Sequence, residues 1–333
     1  DAFARANGAR AIELGRDRFT TWRVVVNARI YDFNAIAGDS MATDLGRRDF
    51  TVNAIALRPT DGIVLDPHAG AADIAEKRLR MIRESNFRDD PLRLLKGVRL
   101  AATLRFSIEE ETLAAIRRHA DELRTVAPER VSAELQAALR GDPRRAVALL
   151  RDTGLDAVIF EGPIDAGPAN ALNAQAGDPA LAFWILLPPG NVDAFAARWR
   201  WSEELRRDVH ALSGAVAAIR AAGDDDGALG IAIHDAGART AKRAIAALQS
   251  SGAADLASRV QALMLSRGDA IFHATPLLTG HEIASVAGLL RGPQIGAIKR
   301  ALLERQIRGS KASKKGQERA SERPLGGGAG GAE

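Results

Sequence analysis

Apolar positions in the first part of the chain fall in short runs. ARAIEL, TWRVVVN and ARIYDFNAI are rich in β-branched and aromatic residues, and the last two flank Asn27, which predicts a hairpin. NAIALRP and GIVLDP form a second candidate pair of strands, joined by the turn residues Thr60, Asp61 and Gly62. From about Gly70 the period becomes helical. DPLRLLKGVRLAATL, EEETLAAIRRHADELR, PERVSAELQAALR and PRRAVALLRDTG each repeat apolar residues at helical spacing, with breakers between them. Beyond Glu161 the chain is Ala-rich and helical, interrupted at Pro188-Pro189-Gly190 and from Gly223 to Gly227, and a Gly-Pro pair precedes a helix that ends in basic residues. Sheet first and helices after predict an α+β unit followed by an all-α array. The closing SKASKKGQERASERPLGGGAGGAE has too little apolar content to offset ordering, so residues 310–333 are expected to be disordered.

Composition narrows the class. The 333 residues, 46% hydrophobic and 26% charged, suffice for two or three cores, since single cores stop growing at about 250–300 residues. With no cysteine, disulfide scaffolds, zinc-thiolate sites and thiol catalysis are excluded. No stretch approaches the ~18 apolar residues of a membrane span, and the first residues carry no apolar signal segment. A soluble, cytoplasmic protein with no membrane partner is expected. The first residue is Asp1 and not Met, which reads as a chain whose beginning is missing. The net charge of +4 is uneven: residues 76–151 hold 17 Lys and Arg against 12 Asp and Glu, and residues 291–333 hold 10 against 4, leaving the remainder acidic. Two basic segments fit a polyanion contacted in two places, and equally two solvated helical faces.

Two constellations carry candidate chemistry. Arg47, Arg48, Asp49 and Asn53 lie within one turn or bend of DLGRRDFTVNA. Guanidinium groups match phosphate with planar forked donors, while Asp and Asn suit a ribose hydroxyl or a base edge; a capped helix start with a surface ion pair explains the same residues. In RDDPLRLLKGVR, Asp89 or Asp90 before Pro91 predicts a helix start. Leu94, Leu95, Val98, Ala101 and Ala102 form one apolar arc, while Asp90, Arg93, Lys96 and Arg99 step round the opposite one. Such a helix presents one carboxylate and three cations, with Gly97 among them expected to leave room for a ligand. A salt-bridge ladder is the alternative. Asp32, in the apolar strand IYDF, needs a partner, a metal or solvent. His234-Asp235 has the form of a phosphohydrolase dipeptide but lacks companions at usable spacing, and reads as surface.

In this order the blocks resemble the class II tRNA nucleotidyltransferase (CCA-adding enzyme) and bacterial poly(A) polymerase family. DLGRRDFTVNAIAL resembles its RRDxxxNA motif, LDPHAGAADIAEKRLRMI the segment that follows, RDDPLRLLKGVRLAATLRF its EDxxR templating motif and TVAPERVSAELQAAL its ERxxxE block. TPLLTGHEIASVAGLLRGPQIGAIKRALLERQIRG is similar to the tail element of the tRNA-handling members. The resemblance covers about residues 10–165 and 275–309. It implies a partial, polymerase-β-like nucleotidyltransferase head over 1–68, a helical neck over 69–160 and an all-α body and tail over 161–309. It implies further that Arg48 and Asp49 contact the triphosphate and ribose of the incoming nucleotide, with Asn53 supporting them. Asp90 and Arg93 would face the Watson–Crick edge of CTP or ATP, with Lys96 and Arg99 near the phosphates. Family members usually carry Arg where Lys96 stands, and an ammonium cannot reproduce a bidentate fork. Glu129, Arg130 and Glu134 would brace the templating helix, and Asp32 would be a third carboxylate and metal ligand.

The family's GGxVRD loop and the DxD pair that binds two Mg²⁺ ions have no counterpart before Asp32. The expectation is therefore an RNA 3′-end nucleotidyltransferase that adds C and A to the tRNA acceptor end, or to another RNA 3′ end, from CTP and ATP. This chain, lacking that carboxylate pair, is expected to be inactive or nearly so. A poly(A) polymerase of the same family and a non-catalytic RNA-binding paralogue are the alternatives. Pro188-Pro189 stands where a phosphohydrolase metal dipeptide would follow LAFWILL, so no such activity is expected, and oligomeric state is not indicated.

Overall fold

The computed structural model describes residues 2–14, 21–172, 177–288 and 292–309; the expected disordered segment 310–333 lies outside them. Its contacts divide the chain into two units, Asp1–Val126 and Ala127–Glu333.

The first unit opens with a short helix, α1 (Ala2–Ala6), and an antiparallel sheet of β1 (Ala11–Leu14), β2 (Thr21–Val26) and β3 (Arg29–Asn34) in sequence order. The hairpin expected around Asn27 is present. Asn27 and Ala28 both have positive φ, 48° and 63°, which is the backbone of a two-residue turn matched to the twist of its strands. Phe3 of α1 packs on Tyr31 and Phe33 of β3, with ring centres 5.0 and 5.2 Å apart. After α2 (Met41–Leu45), capped by Ser40, and a 3-10 turn at Thr51–Asn53, the second expected strand pair appears as β4 (Ala56–Leu57) and β5 (Val64–Leu65). Gly62, at φ 73°, closes its turn.

Helices then follow: α3 (Gly70–Ala75), α4 (Ser85–Asp89), α5 (Leu92–Leu104) and α6 (Glu110–His119), with β6 (Arg78–Leu79) and β7 (Ser107–Ile108) pairing in parallel. The apolar arc read from the sequence is the buried face of α5, where Leu94, Leu95, Val98, Ala101 and Ala102 have no exposed surface. Phe50, Phe87, Ile116 and Leu123 are buried with them. The run EEETLAAIRRHADELR is not one helix: α6 ends at His119 and a 3-10 turn carries the chain from Ala120 to Thr125.

The second unit is all helical. α7 (Pro128–Gly141) and α8 (Pro143–Thr153) each begin with proline, which fits a helix start, and α8 ends at Gly154 in the left-handed region. α9 (Leu155–Phe160), α10 (Ala166–Ala171), α11 (Pro179–Leu186) and α12 (Val192–Arg198) follow. The long α13 (Glu203–Ala222), α14 (Asp226–Ser250) and α15 (Ala254–Phe272) form the main core, and Gly237, at φ 71°, breaks α14 in two. The breaks expected at Pro188-Pro189-Gly190 and at Gly223 separate α11 from α12 and α13 from α14. A smaller core joins α16 (Gly280–Ala287), started by a Thr279–Glu282 capping box, to α17 (Pro293–Ile307), which follows the Gly-Pro break. Among the described residues no helix is long and apolar enough to cross a membrane.

Candidate functional site

Asp49 is the centre of the first constellation. Its side chain is buried, and one oxygen accepts from its neighbour Phe50 N–H and from Asn53 Nδ2, both at 2.9 Å. The other oxygen faces the Lys96 ammonium on α5. Burial alone would raise this carboxyl, but Lys96, the Asn53 amide and the Phe50 N–H outweigh it and hold it below the usual carboxylate range. The two motifs, far apart in sequence, thus meet at one charge pair, with Asp49 buried and Lys96 half-buried. Lys96, expected near phosphates, sits on Asp49. Arg48 turns outward, half exposed, and reaches back to Asp44 at 3.2 Å.

The templating candidates stand at the start of α5. Asp90 Oδ1 accepts from Leu92 N–H at 3.3 Å, at the first residue of α5, whose N-cap position is held by Pro91, while Asp89 closes the separate short helix α4. Arg93, Lys96 and Arg99 are half-buried along one side, away from the apolar arc. Gly97 corrects the expectation placed on it. It is buried, and a Cβ there would lie 2.9 Å from Phe50 Cζ. The missing side chain therefore makes room for the Phe50 ring and not for a ligand.

Asn86 was not singled out in the sequence. It is 1% exposed on α4, and its Nδ2 donates to the carbonyls of Gly46 at 3.1 Å and Arg48 at 2.7 Å. Its own carbonyl accepts from Arg93 Nη1 at 3.0 Å, and Arg83 Nη2 adds a second donor to Gly46 at 2.7 Å. The one available signal was an asparagine inside a helical stretch, where its side chain competes with the backbone unless it finds another carbonyl.

Two ionic networks fix this frame. Fully buried Asp73 on α3 accepts from Thr51 Oγ1 at 2.7 Å and pairs with Arg78 and Arg80, while a Cβ at Gly70 would collide with the Thr51 carbonyl. Glu84, just before α4, binds Arg118 at 2.9 Å and His119 Nε2 at 2.7 Å, and these bonds lower its carboxyl to about 2. The other ring nitrogen of His119 meets Glu122 at 2.6 Å.

Asp32 finds its partner across the hairpin. Both its oxygens lie 2.8 Å from the Arg23 guanidinium on β2, the residue directly opposite in register. That hydrogen-bonded pair lowers the Asp32 carboxyl below its ordinary value. Among the described residues no three His, Asp or Glu side chains come together as a metal-binding group. In the second unit, Glu129 on α7 pairs with Arg200; Arg130 and Glu134 lie on the same helix. His234 and Asp235 are not bare surface residues. His234 Nδ1 lies 2.7 Å from the Ile271 carbonyl, and Asp235 forms a two-bond fork with Arg300 of α17 at 2.6 Å, so the dipeptide ties α14 to its neighbours.

With this geometry in place, known proteins fall into a pattern. The family described as the poly(A) polymerase head domain matches residues 5–80, and the one described as the probable RNA and SrmB-binding site of polymerase A matches residues 105–165. The chain is 44% identical to a CC-adding tRNA nucleotidyltransferase of Synechocystis over 128 residues, 38% of this chain and 30% of that protein. The chain is thus similar, in two separate stretches, to the head and RNA-binding regions of poly(A) polymerases and, over part of its length, to tRNA nucleotidyltransferases. A CCA-adding enzyme of Coxiella burnetii is 33% identical over 196 residues, 56% of this chain and 52% of its own length. An A-adding tRNA nucleotidyltransferase of Deinococcus radiodurans is 40% identical over 160 residues, 46% and 36%. The chain therefore spans about a third to a half of the length of the curated relatives it matches. The fold is that of a Thermotoga maritima CCA-adding enzyme solved with tRNA, with a TM-score of 0.72 at 17% identity over 96% of this chain and 82% of that one. A Bacillus stearothermophilus CCA-adding enzyme solved with CTP gives 0.66 at 24% identity, over 90% and 80%. The α5 motif lies between the two family matches, so its assignment to the site rests on the contacts with Asp49 and Asn86.

Proposed function

We propose that this chain carries the nucleotide-selecting site of an RNA 3′-end nucleotidyltransferase that adds C and A to the tRNA acceptor end from CTP and ATP. The observation that carries the reading is the junction at Asp49, where the RRD turn and the DxxR helix are held together by Lys96. In this reading Arg48 holds the triphosphate, Asp49 the ribose with Asn53 steadying it, and Arg99 lies towards the phosphates. Lys96 serves the ribose side through Asp49.

Asp90 and Arg93 read the base by complementary chemistry. Cytosine and adenine each place an amino donor beside a ring-nitrogen acceptor, which suits a carboxylate next to a guanidinium. Uracil and guanine reverse both groups, setting a carbonyl against the carboxylate and an N–H against the guanidinium. One pair of side chains thus accepts C and A and rejects the other two bases. Mg²⁺ would supply activation of the RNA hydroxyl and stabilisation of the leaving pyrophosphate. The described residues do not form such a metal site, since Asp32 is taken by Arg23. The basic segments at 76–151 and 291–333 would hold RNA by its phosphates.

Calorimetric titration of the 333-residue chain with each of the four nucleoside triphosphates tests the reading. CTP and ATP should bind at least about tenfold tighter than UTP and GTP, and Arg93→Met should erase the difference. Equal binding of all four, or no binding, would refute it.

A further inference from the structure

We propose that Asn86 is a positioning residue for base selection, acting as a ruler between the phosphate-binding turn and the base-reading helix. The proposal rests on the reading of Asp90 and Arg93 as the pair that meets the base.

The argument is geometric. A primary amide has two N–H donors, and Asn86 spends both on the turn that carries Arg48, at the Gly46 and Arg48 carbonyls. Its backbone carbonyl takes a donor from Arg93 at 3.0 Å and lies only a few bonds from those two contacts. The site of Arg48 and the guanidinium of Arg93 are therefore spaced through a single buried residue, with Phe87 next to it packed in the core. A nucleotide has a set distance between its phosphates and its base edge. Selection by hydrogen bonding works only if the protein holds the matching spacing, because a base edge displaced by an ångström no longer separates correct from incorrect donors. Lys96 and Asp49 also link these two elements, but through a flexible four-carbon stem. Asn86 is the short, rigid link.

Substitutions at Asn86 should then separate phosphate affinity from base preference. Asn86→Ala leaves the Arg48 carbonyl without this donor, and Asn86→Asp sets a carboxylate oxygen against two carbonyls. In titrations of the full chain with CTP, UTP and inorganic tripolyphosphate, both variants should lose about tenfold or more of the CTP-over-UTP preference while tripolyphosphate affinity stays at its original value. Asn86→Ser, which keeps one hydroxyl donor, should fall between the original chain and Asn86→Ala and decides the matter if Asn86→Asp does not fold, with thermal unfolding as the control. A folded variant that keeps the original CTP-to-UTP ratio overturns the proposal. So does an equal loss for all three ligands, which is the mark of a merely structural role. Failure of the unaltered chain to distinguish CTP from UTP would instead overturn the base-reading assignment itself, and is seen before any variant is made.

Discussion

Gly97 shows how much one absent methyl group decides. A Cβ on it would lie 2.9 Å from Phe50 Cζ, so Gly97→Ala forces the ring or the helix to move and should cost about 1–3 kcal/mol in urea unfolding, with an unchanged m value. Lys96 presents the electrostatic counterpart. Removing its charge in Lys96→Met leaves Asp49 buried with only its hydrogen bonds, so its carboxyl should titrate higher. The native pairing depresses Asp49, and a depressed carboxyl contributes stability above its unfolded pKa that is lost as the pH falls. The variant should thus be less stable than the original at pH 7, with the gap closing below about pH 4, where the unfolded carboxyl also takes up its proton. Unfolding curves at the two pH values check the sign. At this scale charge and spacing singled out Arg48, Asp49, Asp90 and Arg93 as candidates, and the structure joins Asp49 to Lys96 of the second constellation. Asn86 escaped because its importance lies in which two carbonyls fold to within reach of its amide.

The elements were readable where local backbone chemistry governs. The Asn27 hairpin followed from β-branched strands and a turn residue tolerant of positive φ, yet Ala28 occupies the second such position at a steric cost. Ala28→Gly should therefore stabilise the hairpin by about 1 kcal/mol, read as greater hydrogen-exchange protection in β2 and β3. The division of the second constellation between α4 and α5 was less legible, because Pro91 signals a start but not that a separate turn of helix precedes it. That turn is anchored by Glu84, whose carboxyl at about 2 contributes stability above the unfolded value near 4.5 and loses it as pH falls towards 2. Glu84→Gln should be less stable than the original at pH 7, and the two should converge between pH 4.5 and 2 when followed by circular dichroism. Helical period alone also ran α6 into the residues after His119, where the ring needs both Glu84 and Glu122 and the chain tightens into a 3-10 turn.

For the whole molecule, the uneven charge matters more than its sum. If the segments 76–151 and 291–333 bind RNA through phosphates, tRNA affinity should fall about 10³-fold between 50 and 200 mM salt, a slope that filter binding or fluorescence anisotropy measures directly. A flat dependence would contradict an electrostatic interface. By itself the sequence determined the order of sheet and helices, the apolar arc of α5, the helix starts at proline and the motifs that carry the family likeness, because each depends on periodicity or on the conformational limits of neighbouring residues. Only the tertiary structure decided that Lys96 neutralises Asp49, that Gly97 admits Phe50, that Asp32 is bound by Arg23 and that Asn86 joins two motifs. Those outcomes depend on distances between residues remote along the chain, and such distances are set by packing and by the need to satisfy every buried polar group.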